Sequence, residues 1–339
     1  MKKRMMALAL AGVFGMSMMA GCGSSSSSGT EATATSTAAD SGDSYNISFI
    51  VKLTDGHFSK VMAGAQAYAD EHDNVNVEIL SPTSATAYDE QINMIETALG
   101  NDSTDAVVIS PLQSDSAANL VANTDKVIVA CDTNFESDKV CSFVGTGNKD
   151  AAKSGAEEAC KELADAGNDA PTAVILTGVQ GDETHDARLE GYTEGVEEAG
   201  GEVLEVQYCD AQADKAATAT EAILQKYQDG VDMILCTNDD MAMAAAKAIK
   251  DGGNSAYDDT ILCGFDGNTS AIQAIQEGSL TMDVAQLGYD MGYKSMEAAV
   301  NKLEGKDVES FVDSGAQVVT ADNCEDYIAD MKDKGLWEE

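Results

Sequence analysis

From Tyr45 onward, short runs of aliphatic and β-branched residues alternate with longer stretches in which apolar residues return every three or four positions. The first kind of run marks strands and the second marks helices with one buried face. Ile47–Val51, Val75–Leu80, Ala106–Ile109 and Val127–Ala130 read as strands, with a further short one at Phe143-Val144. Between them, helical period runs from Phe58 to His72, from Ala87 to Leu99 and on to Leu120. The alternation restarts with strands at Ala173–Leu176, Val203–Tyr208, Met233–Cys236, Ile261–Phe265 and Thr281–Ala285. Helices at Thr184–Ala199, Ala216–Tyr227, Met241–Lys250, Ala271–Ile275 and Tyr289–Leu303 accompany them. Strands apolar at nearly every position are buried on both faces, which predicts parallel sheets sandwiched by helices. Two successive doubly wound α/β units of Rossmann-like type are therefore expected.

In such units the loops at the carboxyl ends of the strands form a common rim, and two facing rims enclose a cleft suited to a small ligand. The strand ends supply Lys52–Phe58, Ser110–Ser114, Cys131–Asn134, Gly145–Asn148, Gly181–Arg188, Asp210–Asp214, Thr237–Asp240, Gly264–Gly267 and Ala285–Leu287. The set is rich in Asp, Asn and Gln, with a few aromatics. Carboxylates and amides suit hydroxyl groups, and flat rings suit C–H faces, so the rim chemistry fits a polyol. A phosphate-binding Gly-x-x-x-x-Gly-Lys-Ser/Thr segment is missing, as are a nucleophile elbow, a zinc-ligand spacing and a dinucleotide fingerprint. No cofactor, metal or catalytic residue is expected. Carboxylate pairs such as Asp239-Asp240 are what an acid–base enzyme would use.

The 339 residues exceed one average domain, and 44% hydrophobic content can fill two cores. The formal charge of −39 excludes nucleic acid as a partner and describes a well-solvated exterior. Lys2-Lys3-Arg4 followed by an apolar run to Ala20 reads as a secretory signal, too short for a membrane span. Met19-Ala20-Gly21-Cys22 resembles a bacterial lipobox, which implies cleavage after residue 21 and acylation of Cys22. The Ser/Thr/Ala-rich segment 22–43 cannot bury a core and serves as a tether. Acyl chains anchor such a protein with about 0.8 kcal/mol per buried methylene. The seven remaining cysteines lack metal spacing. They read as small buried hydrophobes, with Cys131–Cys141 the one pair worth checking for a disulfide.

Several rim segments together carry a family resemblance: Arg188-Leu189-Glu190-Gly191-Tyr192, Asn238-Asp239-Asp240-Met241-Ala242, Gly264-Phe265-Asp266-Gly267, and Ala285-Gln286-Leu287 with Met291-Gly292. In this order and spacing, residues 45–332 resemble the ribose- and galactose-type periplasmic binding proteins. The resemblance implies a type I periplasmic-binding-protein-like fold with a three-strand hinge, crossed near Thr146, Gln286 and Gly315. One lobe would comprise 44–146 plus 287–315, the other 147–286 plus 316–339. It implies a monomeric solute-binding protein that hands a sugar to ABC permease subunits, held at the membrane by its lipid. By resemblance Asp132, Asn238, Asp266 and Gln286 bond sugar hydroxyls and Phe58 stacks on the ring.

The chain also departs from the family pattern. His57-Phe58 stands where many relatives have two aromatics, Asp55 where Asn is frequent, and Ser110 where Asn or Asp is common. Either Asp186 or Arg188 faces the cleft. Phe265 is a second candidate stacking ring or a core residue. Asp266 and Asn238 also have a helix-capping reading. Two other roles share this fold. A sugar-responsive repressor needs a basic helix-turn-helix in place of the lipobox, whereas a sensor presenting a sugar-like signal to a membrane receptor fits the same sequence.

Overall fold

A computed structural model describes residues 44–54, 56–84 and 86–337. Its first sheet is built from β1 (Tyr45–Ile50), β2 (Val75–Leu80), β3 (Ala106–Ile109), β4 (Val127–Cys131) and β5 (Val140–Gly145). The intervening helices are α1 (Gly56–Glu71), α2 (Tyr88–Gly100) and α3 (Ser114–Val121). α4 (Asn148–Asp165) then leads into β6 (Thr172–Thr177), α5 (Glu183–Glu198), β7 (Glu202–Tyr208), α6 (Ala213–Lys226) and β8 (Met233–Cys236). α7 (Asp239–Gly252), β9 (Ile261–Asp266), α8 (Thr269–Gln276), β10 (Met282–Gln286) and α9 (Gly288–Leu303) follow. The chain ends with β11 (Phe311–Asp313), β12 (Ala316–Thr320) and α10 (Cys324–Asp333).

The two sheets have the orders β11-β5-β4-β3-β1-β2 and β12-β10-β9-β8-β6-β7. All pairings are parallel except β10 with β12. Each sheet thus repeats the 2-1-3-4-5 order of doubly wound folds and gains one extra edge strand from the last part of the chain. β3 and β8 are buried at every position, which explains their unbroken apolar sequences. In the first lobe, α1 and α9 pack on one face and α2 and α3 on the other. In the second, α4 and α5 cover one face, and α6, α7, α8 and α10 the other.

Because α9 and β11 join the first sheet while β12 joins the second, the chain passes between lobes three times: after β5, after β10, and between β11 and β12. The crossing residues are bonded to each other. Thr146 Oγ1 donates to Gln286 Oε1 at 2.9 Å and lies 3.4 Å from Ser314 Oγ. Four elements go beyond the strands and helices read from periodicity: α4, β11, β12 and α10. The seven cysteines in the described residues are free thiols, Cys131 and Cys141 included, and five others are buried with Cys131 in apolar surroundings. Among the described residues no helix is long and apolar enough to cross a membrane.

Candidate ligand-binding site

The loops at the strand carboxyl ends of both lobes enclose a cavity of about 210 Å³. It is lined from the first lobe by Lys52, His57, Phe58, Asp132 and Thr133, and from the second by Asp182, Thr184, His185, Arg188 and Asp266. Asn148 and Gln286, beside two of the crossings, complete the wall. A wider depression of about 350 Å³ shares Asp132, Thr133, Asn148, Asp182 and Thr184 and adds Ser114, Asn134 and Phe143. The inner volume is below the roughly 300–1,000 Å³ typical of drug-sized ligands, so it suits one small molecule.

The first-lobe half is organised by Asp132, which follows β4 at φ 63°. Its carboxylate accepts from His57 Nε2 at 2.9 Å and from Thr133 Oγ1 at 2.8 Å, and Lys52 Nζ stands 3.5 Å away. Lys52 Nζ also donates to Thr133 Oγ1 at 2.5 Å. Burial pushes the Asp132 pKa up, but the Lys52 charge and the His57 and Thr133 hydrogen bonds outweigh it and hold the acid well below the usual carboxylate range. The buried Nδ1 of His57 has no hydrogen-bond partner among the described residues.

Arg188 organises the other half. Asp182 caps α5 by accepting from the backbone N–H groups of Thr184 and His185, both at 3.0 Å, and this sets the helical phase. Arg188 then points into the cleft. Its Nε donates to Asn148 Oδ1 at 2.8 Å, and its Nη1 donates to the Thr237 carbonyl at 2.8 Å and to Asp266 Oδ1 at 3.1 Å. The guanidinium lies 3.8 Å from the centroid of the Phe265 ring. Such a desolvated cation–π contact contributes about 2 kcal/mol. Asp266 adopts φ 129°, a conformation that L-residues seldom take, and also accepts from Gln286 Nε2 at 2.8 Å. Its pKa rises to about 6 because burial opposes the charge, with Arg188, His57 and Gln286 pulling the other way. Burial next to Arg188 drops the His185 pKa to about 4, so its ring is neutral, with Nδ1 2.8 Å from Thr237 Oγ1.

Of the residues expected at the rim, the structure brings together His57, Phe58, Asp132, Arg188, Asp266 and Gln286. Four others lie elsewhere. Ser110 is fully buried beneath the rim, its carbonyl accepting from Gln91. Asn238 caps α7 by accepting from the Met241 N–H at 2.9 Å, and its amide turns toward the Ala211 carbonyl. Phe265 is sealed in the core under Arg188 rather than open to a ligand. Asp186, on the opposite side of α5 from Arg188, lines an outer groove with Leu189 and Glu190. Asp55 and Cys22 lie outside the described residues. Lys52, Thr133, Asn148, Asp182, Thr184 and His185 belong to the cavity although residue-type reasoning passed over them. Their position at strand ends was the available signal.

Two doubly wound lobes joined by three crossings, with polar side chains of both converging on one small cavity, define a bilobal small-molecule clamp. The chain belongs to the periplasmic binding protein family: residues 47–307 match the family described as periplasmic binding protein domain. Its members are extracytoplasmic solute-binding proteins with a role in transport, not enzymes. The chain is 29% identical over 219 residues to the ribose import binding protein RbsB of Bacillus subtilis (strain 168), covering 64% of this chain and 68% of the relative. It superposes on the arabinose-binding protein AraP of Geobacillus stearothermophilus with a TM-score of 0.76 at 21% identity, over 84% of this chain and 99% of the other. A carbohydrate transporter solute-binding protein of Agrobacterium radiobacter, in complex with D-arabinose, gives 0.69 at 26% identity, over 87% and 99%.

Proposed function

We propose that this chain is the lipid-anchored binding protein of an ABC importer, and that it captures one monosaccharide or similar polyol between its lobes for delivery to the permease. The observation that carries this reading is the charge pairing within the cavity wall. Lys52 is matched by Asp132 and Arg188 by Asp266, each pair inside one lobe. The remaining acid of the wall, Asp182, is engaged by the N-terminal N–H groups of α5, so the wall presents many directed donors and acceptors and no unpaired cation. A neutral polyhydroxylated molecule exploits such a wall, whereas an ionic ligand needs a counter-charge left free. Phe58 adds an apolar face. Residues 44–146 with 287–315 close on 147–286 with 316–339. The protein acts as a monomer, tethered through acylated Cys22. The relatives whose names or titles specify ribose and arabinose support the same class of ligand.

Thermal-shift screening against D-ribose, D-arabinose, hexoses, myo-inositol, amino acids and short peptides tests the reading. One polyol is expected to stabilise the protein clearly, by roughly 2.7 kcal/mol at a hundredfold excess over Kd. Stabilisation by amino acids or peptides alone would refute the ligand class. Intact-mass analysis of the membrane-extracted protein tests the anchor, which an unmodified Cys22 would rule out.

A further inference from the structure

Beneath the cavity floor, ionisable residues from both lobes converge on the turn that carries Asp266. Lys60 of α1 is only 4% exposed, a rare position for lysine without partners. Its Nζ crosses into the second lobe and donates to the Gly267 carbonyl at 2.5 Å and to Tyr327 Oη at 3.1 Å. Asp239, at the start of α7, accepts from the Asn268 N–H at 2.7 Å. The Gly267 carbonyl and the Asn268 N–H, in the turn after Asp266, are thus each held by a buried ionisable side chain.

Asp283, in the middle of β10, is fully buried beside Asp239. Asp239 Oδ1 and Asp283 Oδ2 both come within 2.6 Å of the point where a Cβ on Gly264 would sit. The two carboxyls therefore face each other over a residue that has to be glycine. Asp239 Oδ1 and both Asp283 oxygens are sealed without a well-formed hydrogen bond if both groups are ionised. Two carboxylates so placed share one proton, which converts a repulsion into an O–H···O bond and leaves one negative charge to balance Lys60. Burial raises both acids, and the Asp283 charge raises Asp239 further. Burial lowers Lys60, against the pull of Asp283, Asp239 and Asp266.

We infer that Lys60 is a positioning residue for ligand capture: charge-balanced by Asp239 and Asp283, it clamps the Gly267–Asn268 turn across the lobe boundary and so aims Asp266 into the cavity. The inference rests on the proposed ligand site but makes a claim of its own about charge balance. Asp266 sits at φ 129° and needs such bracing to stay there. The stem of Lys60 runs beside Gly288, at the second crossing, so the clamp acts where the lobes pivot. The other groups facing the cluster are Asp266 and Cys263 on β9, Arg188 and Tyr192 on α5, Cys236 on β8 and Tyr327 on α10.

The test compares the full chain with Lys60→Met, Asp283→Asn and the double variant. Three properties are read between about pH 5 and 8: melting temperature, amide exchange at Asn268, and affinity for whichever of D-ribose, D-arabinose or myo-inositol most stabilises the parent protein. Lys60→Met strands a buried negative charge. Its melting temperature is expected to fall below the parent's by a margin that widens as pH rises, because the acid pair must take up a second proton. Asn268 exchange quickens and affinity drops at least tenfold, more at the alkaline end. Adding Asp283→Asn removes the surplus charge and restores all three, and the margin from the parent no longer widens with pH. A Lys60→Met protein that melts, exchanges and binds like the parent overturns the inference, as does a defect that Asp283→Asn leaves in place. If Lys60→Met does not fold alone, the double variant is expected to fold, and its failure also counts against the clamp. If none of the three polyols binds the parent, the sugar reading fails, while melting and Asn268 exchange still decide the clamp.

Discussion

Asp132 and Asp266 end the fourth strand of their respective lobes, both with positive φ, yet they hold protons very differently. Asp132 has an ammonium, an imidazole N–H and a hydroxyl directed at it, and these overcome burial. Asp266 has Arg188 and Gln286, which do not overcome it, and its pKa stands at about 6. If ligand hydroxyls donate to the Asp266 carboxylate, protonation competes with binding. Affinity is then expected to fall about tenfold between pH 7 and 5, whereas Asp266→Asn binds more weakly and without that pH dependence. Calorimetric titration at several pH values reads this out, and a parent protein with equal affinity at both ends would exclude Asp266 as an ionised acceptor. For the unliganded fold the sign is opposite. The folded-state pKa lies above the unfolded 3.8, so this residue's contribution to stability is present at low pH and is lost as pH rises from 3.8 to about 6.

The strand-end rule placed the segments of these two acids and Gln286 on the rim, because topology brings such positions together, and the family resemblance singled the residues out. It left Asp186 and Arg188 undecided, since neighbours two apart on a helix point in opposite directions and only the start of α5 sets the phase. The Asp182 cap does so, and it puts His185 and Arg188 on the cavity side together. Phe265 was legible as an aromatic at a strand end, but whether its ring meets ligand or guanidinium depends on Arg188, from another element.

At the scale of elements, α4 is the longer of two helices, with α10, that periodicity concealed. Its buried face is Ala151, Ala152, Gly155, Ala156, Ala159 and Cys160, with no bulky residue to announce a period. Small residues are there because α5 lies close. A Cβ on Gly191 would stand 2.1 Å from the Lys149 carbonyl oxygen, and one on Gly195 2.8 Å from that of Lys153. The first lobe repeats the device. A Cβ on Gly64 of α1 would lie 1.9 Å from the Tyr289 carbonyl, and one on Gly292 of α9 1.9 Å from that of Val61. These obstacles are backbone, which cannot rotate aside, so the helices must separate to admit a methyl group. Gly292→Ala is expected to cost at least about 2 kcal/mol, within the range known for overpacked cores. Urea unfolding of the variant measures it, and a cost under half of that would mean the α1–α9 seam yields to admit a methyl group. β11, three residues long, and β12 escaped notice for another reason: short edge strands carry almost no periodic signal.

For the whole molecule, two doubly wound units could be read from alternation alone, because parallel strands buried on both faces leave an unmistakable apolar rhythm. The lobe exchanges could not, since nothing local marks a helix as belonging to a lobe already left behind. The crossings bear on closure. Gln286 joins Thr146 at one crossing to Asp266 in the cavity, so hinge and site share one hydrogen-bond chain. A ligand bonded by both lobes binds the closed form better and shifts the population by that difference in affinity. Small-angle scattering is expected to show a smaller radius of gyration at saturating ligand, with Gln286→Leu blunting the change. An unchanged radius in the parent protein would argue against clamping.

The exchange of late elements also constrains how the protein comes into being. The first sheet awaits α9 and β11, and the second awaits β12 and α10. During synthesis, therefore, α2 and α3 can cover one face of the first sheet early, but the face that α9 covers stays open until roughly nine-tenths of the chain exists, and the second lobe is completed later still. A nascent chain built this way keeps one apolar face of its first sheet uncovered for most of its time on the ribosome. That postponement suits a family whose members work outside the cytoplasm, because an incomplete fold is easier to carry across a membrane as extended polypeptide.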